Sequence, residues 1–195
     1  MPSVPSLPEN QMIFSGDQLK ESGFSHYQIN RLVQNKELKK LNKKNYENLR
    51  FTGELNEFYY AGAFIPDGII CLMSAAVYYN LSTIRPDSID IAVRQKDRIS
   101  TLPDWPPLRL HYFSDERYST GIEIIHDGPN SFQIYDLEKT VADIVSFRNK
   151  IGIEETKEVL TSYLRRNDRN LNRLMRYAAR LRCYQALKTY LEVLV

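Results

Sequence analysis

The stretch Arg85-Pro86-Asp87-Ser88-Ile89-Asp90-Ile91-Ala92-Val93 holds the residue types closest to metal chemistry. Carboxylates at i and i+2 of a strand project to the same side, because successive side chains alternate, and such a pair can hold the Mg²⁺ ions of a nucleotidyl transfer. Here the position two before Asp90 is Ser88, while Asp87, three residues away, falls on the opposite face of a regular strand. Ser74 also lacks the preceding glycine of a Gly-Ser turn. With one carboxylate in place of two, a divergent Mg²⁺-dependent nucleotidyltransferase is the lesser alternative, and the chain is expected not to be an enzyme.

Other catalytic sets are weaker. His26, His111 and His126 lie without metal-ligand spacing, and Cys71 and Cys183 match neither a zinc nor a redox motif, so no metal and no cofactor are expected. Gly-x-Ser-x-Gly, His-Glu-x-x-His and phosphate-cradling loops are all missing from the sequence. Asp136, Glu138 and Asp143 flank the start of a helical pattern, where the helix dipole favours carboxylates without any catalytic role.

The basic residues are more informative. Residues 18–50 carry eight Lys/Arg against three Asp/Glu, residues 51–149 eight against fourteen, and residues 150–195 ten against five. Clustered cations attract polyphosphate backbones and an acidic middle repels them, so nucleic acid is expected at the ends of the chain. Arg169, Arg173, Arg176 and Arg180 advance by four, three and four residues, the spacing of one helix face. Such a ridge is either a solvated surface or a contact for nucleic acid or an acidic partner.

The elements that must carry these groups follow from capping and periodicity. Residues 1–12 hold three prolines and read as an extended arm. Ser15 or Gly16 caps a short helix over Asp17–Glu21; Ser25 caps a second that runs to Lys36, with Ile29, Leu32 and Val33 as its buried stripe. His26, Tyr27, Gln28, Asn30, Arg31 and Gln34 are left outside. Leu38–Leu41, the turn Asn42–Lys44 and Tyr46 onward form a short hairpin bearing Lys39, Lys40, Lys43 and Lys44. Helix, turn, helix and basic hairpin is the order of a winged helix-turn-helix, whose second helix meets base edges while the wing follows phosphates. Gln28, Asn30, Arg31 and Gln34 are therefore expected nearest the bases, with the four lysines on phosphates.

Beyond residue 50, helices are expected over Asn56–Phe64 and Ile69–Tyr79. Four strands follow at Ile89–Val93, Leu108–Phe113, Ile122–His126 and Phe132–Tyr135, in a small, mostly antiparallel sheet. Helices at Leu137–Arg148, Glu154–Arg165, Arg169–Arg180 and Arg182–Leu194 complete an α+β fold. No apolar run approaches the roughly 18 residues of a membrane span, and the N-terminus lacks a signal-peptide pattern, so a cytoplasmic protein is expected.

Several segments together resemble the AbiEi family, the antitoxin half of the abortive-infection AbiE type IV toxin-antitoxin systems. They are Ile70-Cys71-Leu72-Met73-Ser74-Ala75-Ala76, Pro86 with Ile91-Ala92-Val93, Ile134-Tyr135-Asp136-Leu137-Glu138-Lys139-Thr140-Val141-Ala142-Asp143, Arg176-Tyr177-Ala178 and Tyr190-Leu191-Glu192. The resemblance, which runs from about Ser15 to the C-terminus, implies a winged helix-turn-helix DNA-binding domain at 15–50 and an antitoxin α+β domain at 51–195, after the proline-bearing extended arm at 1–14. It implies a phage-defence regulator that represses its own operon by binding promoter inverted repeats, to which a homodimer would correspond. The functional partner is a nucleotidyltransferase toxin, without a required direct complex. Family members carry a helix before the helix-turn-helix; here only the proline-bearing arm precedes it, so that helix is expected to be short, supplied from elsewhere or missing. An interaction protein with a degenerate head and no DNA binding is the competing reading.

Overall fold

A computed structural model describes residues 5–99 and 101–194. Their order begins with β1 (Ile13–Ser15), α1 (Gly16–Glu21), α2 (His26–Gln34), β2 (Leu38–Lys40), β3 (Asn45–Asn48) and α3 (Phe58–Phe64). It continues with β4 (Ile69–Ile70), α4 (Leu72–Tyr78), β5 (Ile89–Arg94), β6 (Leu108–Phe113), α5 (Asp115–Ser119), β7 (Ile122–Asp127) and β8 (Asn130–Tyr135). The chain ends with α6 (Leu137–Ser146), α7 (Arg148–Ile151), α8 (Ile153–Leu164), α9 (Leu171–Arg180) and α10 (Tyr184–Leu194). The fold is mixed α+β, and none of the described helices is long and apolar enough to cross a membrane.

The chain divides into two units, the first comprising 1–67 with 124–132 and the second 68–123 with 133–195. In the first, two capping boxes start the helices. Ser15 accepts the Gln18 N–H while Gln18 accepts the Ser15 N–H, and Ser25 and Gln28 repeat the arrangement. Leu19, Phe24 and Ile29 from this helical pair meet Phe14 of β1, Leu38 of β2 and Leu7 in one buried cluster. β1 and β2 each pair antiparallel with β3, so β3 is central in a three-stranded sheet.

The chain before β1 is docked along this unit. The Asn48 side-chain amide donates to the carbonyls of Pro8 and Gln11, both at 2.8 Å, and Leu7 and Met12 are buried. The unit also extends past residue 50, the boundary read from the sequence. α3 belongs to it, because Asn42 and Asn45 both donate their side-chain amides to the Ala63 carbonyl, at 2.9 and 2.6 Å.

The second unit contains a five-stranded sheet of order β6-β5-β4-β8-β7, with the β7–β8 tip counted in the first unit. Two sequence expectations are corrected here. The sheet is mixed and has a fifth strand: β5–β6 and β4–β8 run parallel and β4–β5 antiparallel, because the long connection at 95–107 brings β6 back alongside β5 in the same direction. The expected helix at Ile69–Tyr79 is a two-residue strand and then a helix, since Ile69 pairs with Ala92 and Ile70 with both Ile91 and Ile134. α6 is buried along most of its length, and Val141, Ile144 and Val145 pack in one cluster with Val159, Leu160 and Tyr163 of α8, Leu174 and Ala178 of α9 and Leu187 of α10.

Candidate nucleic-acid interface

Three anchors set the rotation of α2. Ile29 is buried, and Leu32 and Val33 pack partly buried against the same cluster. At about 100° per residue, the side opposite these anchors carries Tyr27, Arg31 and Gln34, spaced i, i+4 and i+7. All three are exposed, and Asn30 is exposed on the flank of the strip.

Gln28 departs from the sequence expectation. Its carboxamide oxygen accepts the Ser25 backbone N–H at 2.7 Å, so the side chain is folded back onto the helix start as a cap instead of reaching outward. Tyr27, 75 % exposed, occupies the outward position in that turn.

The β2–β3 turn is held by Asn42, whose Oδ1 accepts the N–H groups of Lys44 and Asn45, both at 2.9 Å. Gly16 donates its N–H to the Lys44 carbonyl at 2.7 Å, fixing the turn to the start of α1. Lys40, Lys43 and Lys44 are exposed around it. Lys39 lies 3.3 Å from Glu47 on the neighbouring strand, so part of its charge is compensated within the protein. Exposed cations on a pinned turn can contact phosphates, and an exposed polar helix face can contact base edges.

The arginines at the other end do not form the expected ridge. Arg169 precedes α9, which begins at Leu171. Arg173 turns toward the start of α6, where its guanidinium lies 2.7 Å from Asp136 and 3.9 Å from Glu138. Arg180 pairs with Glu116 at 3.1 Å, leaving Arg176 exposed on the helix. Desolvated carboxylates at the α6 N-terminus attract Arg173 more strongly than solvent does, and they sit thirty-odd positions upstream, beyond the reach of helical periodicity.

Further charge lies inside the second unit. Asp136 caps α6 by accepting the Lys139 N–H at 2.8 Å, and also accepts from the Tyr177 hydroxyl at 2.7 Å. Gly121 passes against this corner with φ +73°, and a Cβ there would stand 2.7 Å from Lys139 Cβ, so only glycine fits. Lys139 and Asp143, one turn apart and both fully buried, form an ion pair that Arg117 joins from α5. Burial pushes the Lys139 ammonium below its ordinary pKa, against the opposing pull of Asp143. The Lys139 Nζ also lies 3.8 Å from the Tyr135 ring centre. All these groups have partners, which suits a structural centre.

Asp90 is buried on β5, with its Oδ1 2.8 Å from His111 Nε2 and 3.8 Å from Arg109, and its N–H donated to Ser74 Oγ at 2.8 Å. Asp87 is exposed and precedes β5. Among the described residues, no three His, Cys, Asp or Glu side chains converge to hold a metal ion. Cys71 and Cys183 are both buried free thiols; burial raises the Cys71 pKa and pushes that of Cys183 up to about 11, disfavouring the reactive thiolate.

Compared with known proteins, the chain matches no family model and no curated sequence.

Proposed function

We propose that the chain is a DNA-binding antitoxin that represses its own operon and counters a nucleotidyltransferase toxin. The observation that carries the DNA-binding half is the exposed strip Tyr27, Arg31 and Gln34 on α2, flanked by Asn30, in the same unit as a turn with exposed Lys40, Lys43 and Lys44. In this reading α1 and α2 are the two helices of a winged helix-turn-helix, the β2–β3 hairpin is the wing, and the helix enters the major groove while the lysines follow the backbone. The antitoxin half rests on the sequence resemblance, carried by the order and spacing of several segments; one of them, Ile134–Asp143, contributes the Asp136 cap and the Lys139–Asp143 pair.

Gel shifts of the full chain on its own promoter, repeated across a salt series, test the repressor half. Affinity falls steeply with salt because each phosphate contact releases counterions; absent or salt-insensitive binding removes this half. Co-expression of the full chain with a nucleotidyltransferase toxin of an AbiE-type system tests the other half, which fails if growth is not restored.

A further inference from the structure

We infer that Tyr27 is a specificity-determining residue of the DNA surface, reading a thymine methyl with its ring while its hydroxyl reaches a backbone phosphate. The inference rests on the DNA-binding reading above and deepens it.

Tyr27 follows the N-cap by two residues, and in helix-turn-helix proteins the N-terminal part of the second helix meets base edges. Its outward direction is fixed, because the buried side of the same helix is held by Ile29, Leu32 and Val33. The neighbouring Gln28 is committed to capping through its 2.7 Å bond to Ser25, so it leaves the first turn without a long polar reader of its own. Tyr27 is 75 % exposed, so its ring is available to be covered by a ligand.

The surroundings favour DNA as what covers it. Arg31 shares the strip, and Lys43 and Lys44 are exposed on the β2–β3 turn of the same unit, cations suited to phosphates and poorly suited to an apolar protein surface. Within a major groove, the one apolar feature of a base edge is the thymine C5-methyl. A flat ring with a terminal hydroxyl can cover that methyl and donate outward to a phosphate. Arg31 and Gln34, four and seven residues on, then address guanine and adenine by paired hydrogen bonds.

The test begins by selecting binding sites for the full chain from random duplex DNA. The wild type, Tyr27→Phe, Tyr27→Ala and Arg31→Ala are then titrated on the selected site and on copies with single thymines replaced by deoxyuracil. Tyr27→Ala is expected to weaken binding about tenfold on the selected site. One thymine-to-uracil change is expected to weaken the wild type and Tyr27→Phe about threefold to fivefold, the worth of a buried methyl, and to leave Tyr27→Ala indifferent. If Tyr27→Ala binds like wild type, or loses the same factor on random duplex, the specificity role is overturned. If wild type selects no duplex even at low salt, the DNA-binding reading itself falls. Because Tyr27 is exposed, its variants keep the wild-type thermal transition, which separates lost contacts from lost folding.

Discussion

Ser25 and Gln28 exchange hydrogen bonds across the first turn of α2: the Ser25 N–H donates to the Gln28 side chain at 2.7 Å, and the Gln28 N–H donates to Ser25 Oγ at 3.3 Å. This reciprocity gives Gln28 a structural duty where its residue type alone indicates base recognition. Ser25→Ala is expected to cost about 1 kcal/mol, as loss of an N-cap does. Gln28→Ala should lower the denaturation midpoint while leaving the base preference of any bound DNA unchanged. A changed preference on a selected-site panel would return Gln28 to the reading set.

Lys43 and Lys44 project from a turn whose backbone is fixed by Asn42 and Gly16, so their removal should spare the fold. Replacing either with alanine should weaken binding uniformly across sequences and reduce the salt slope by about 1, the signature of one phosphate contact. Titrations at several salt concentrations measure this directly. A sequence-dependent loss would reassign that lysine to the bases.

The Lys139–Asp143 pair is fully buried, and Arg117 completes it. Asp143→Ala strands two cations in a desolvated setting and is expected to cost about 3–5 kcal/mol. Adding Lys139→Met should recover part of that loss, because the methionine fills similar volume without a charge. Chemical denaturation of the two variants tests the ordering; equal stabilities would show that the lysine ammonium is not the stranded group.

Glu158 accepts the Thr83 N–H at 3.0 Å and the Ser82 hydroxyl at 2.8 Å, and these bonds hold its carboxyl below the ordinary glutamate range. A carboxyl whose pKa is lowered on folding contributes stability above its unfolded pKa, near 4.3, and loses it as the pH falls through the lowered folded value. The stability advantage of wild type over Glu158→Gln should therefore be full at pH 6 and shrink below about pH 4. Thermal melts across this range measure the difference, and a constant advantage would contradict the assignment.

The parts of the fold legible in sequence are those whose determinants lie close together. α1 and α2 follow from two Ser-x-x-Gln starts, Ser15 with Gln18 and Ser25 with Gln28, and from the apolar spacing of Ile29, Leu32 and Val33. β5, β6, β7 and β8 were visible as alternating or apolar runs between turn residues. β1 and β4 were not, because three- and two-residue strands are defined by their partners, β3 for one and β5 and β8 for the other. The arginine spacing showed a helix face but could not show Arg173 drawn to Asp136, a contact made by tertiary folding. For the candidate interface, residue types pointed to Gln28, Asn30, Arg31, Gln34 and the hairpin lysines; the folded chain leaves Asn30, Arg31, Gln34, Lys40, Lys43 and Lys44 exposed and turns Gln28 to capping. That capping, and the exposure of Tyr27 beside it, depend on the rotation of α2 and are not visible in residue type.

The β7–β8 tip belongs with the first unit although its sequence lies inside the second: Asn130 accepts the Met12 N–H at 2.8 Å and donates to the Asn10 carbonyl at 2.9 Å. A recombination breakpoint between the two units would therefore leave behind a piece that the N-terminal one uses to hold its leading segment. The first unit is thus not one uninterrupted stretch of sequence, and a fragment that stops at residue 67 would lack the Asn130 bonds that fix Met12 and Asn10.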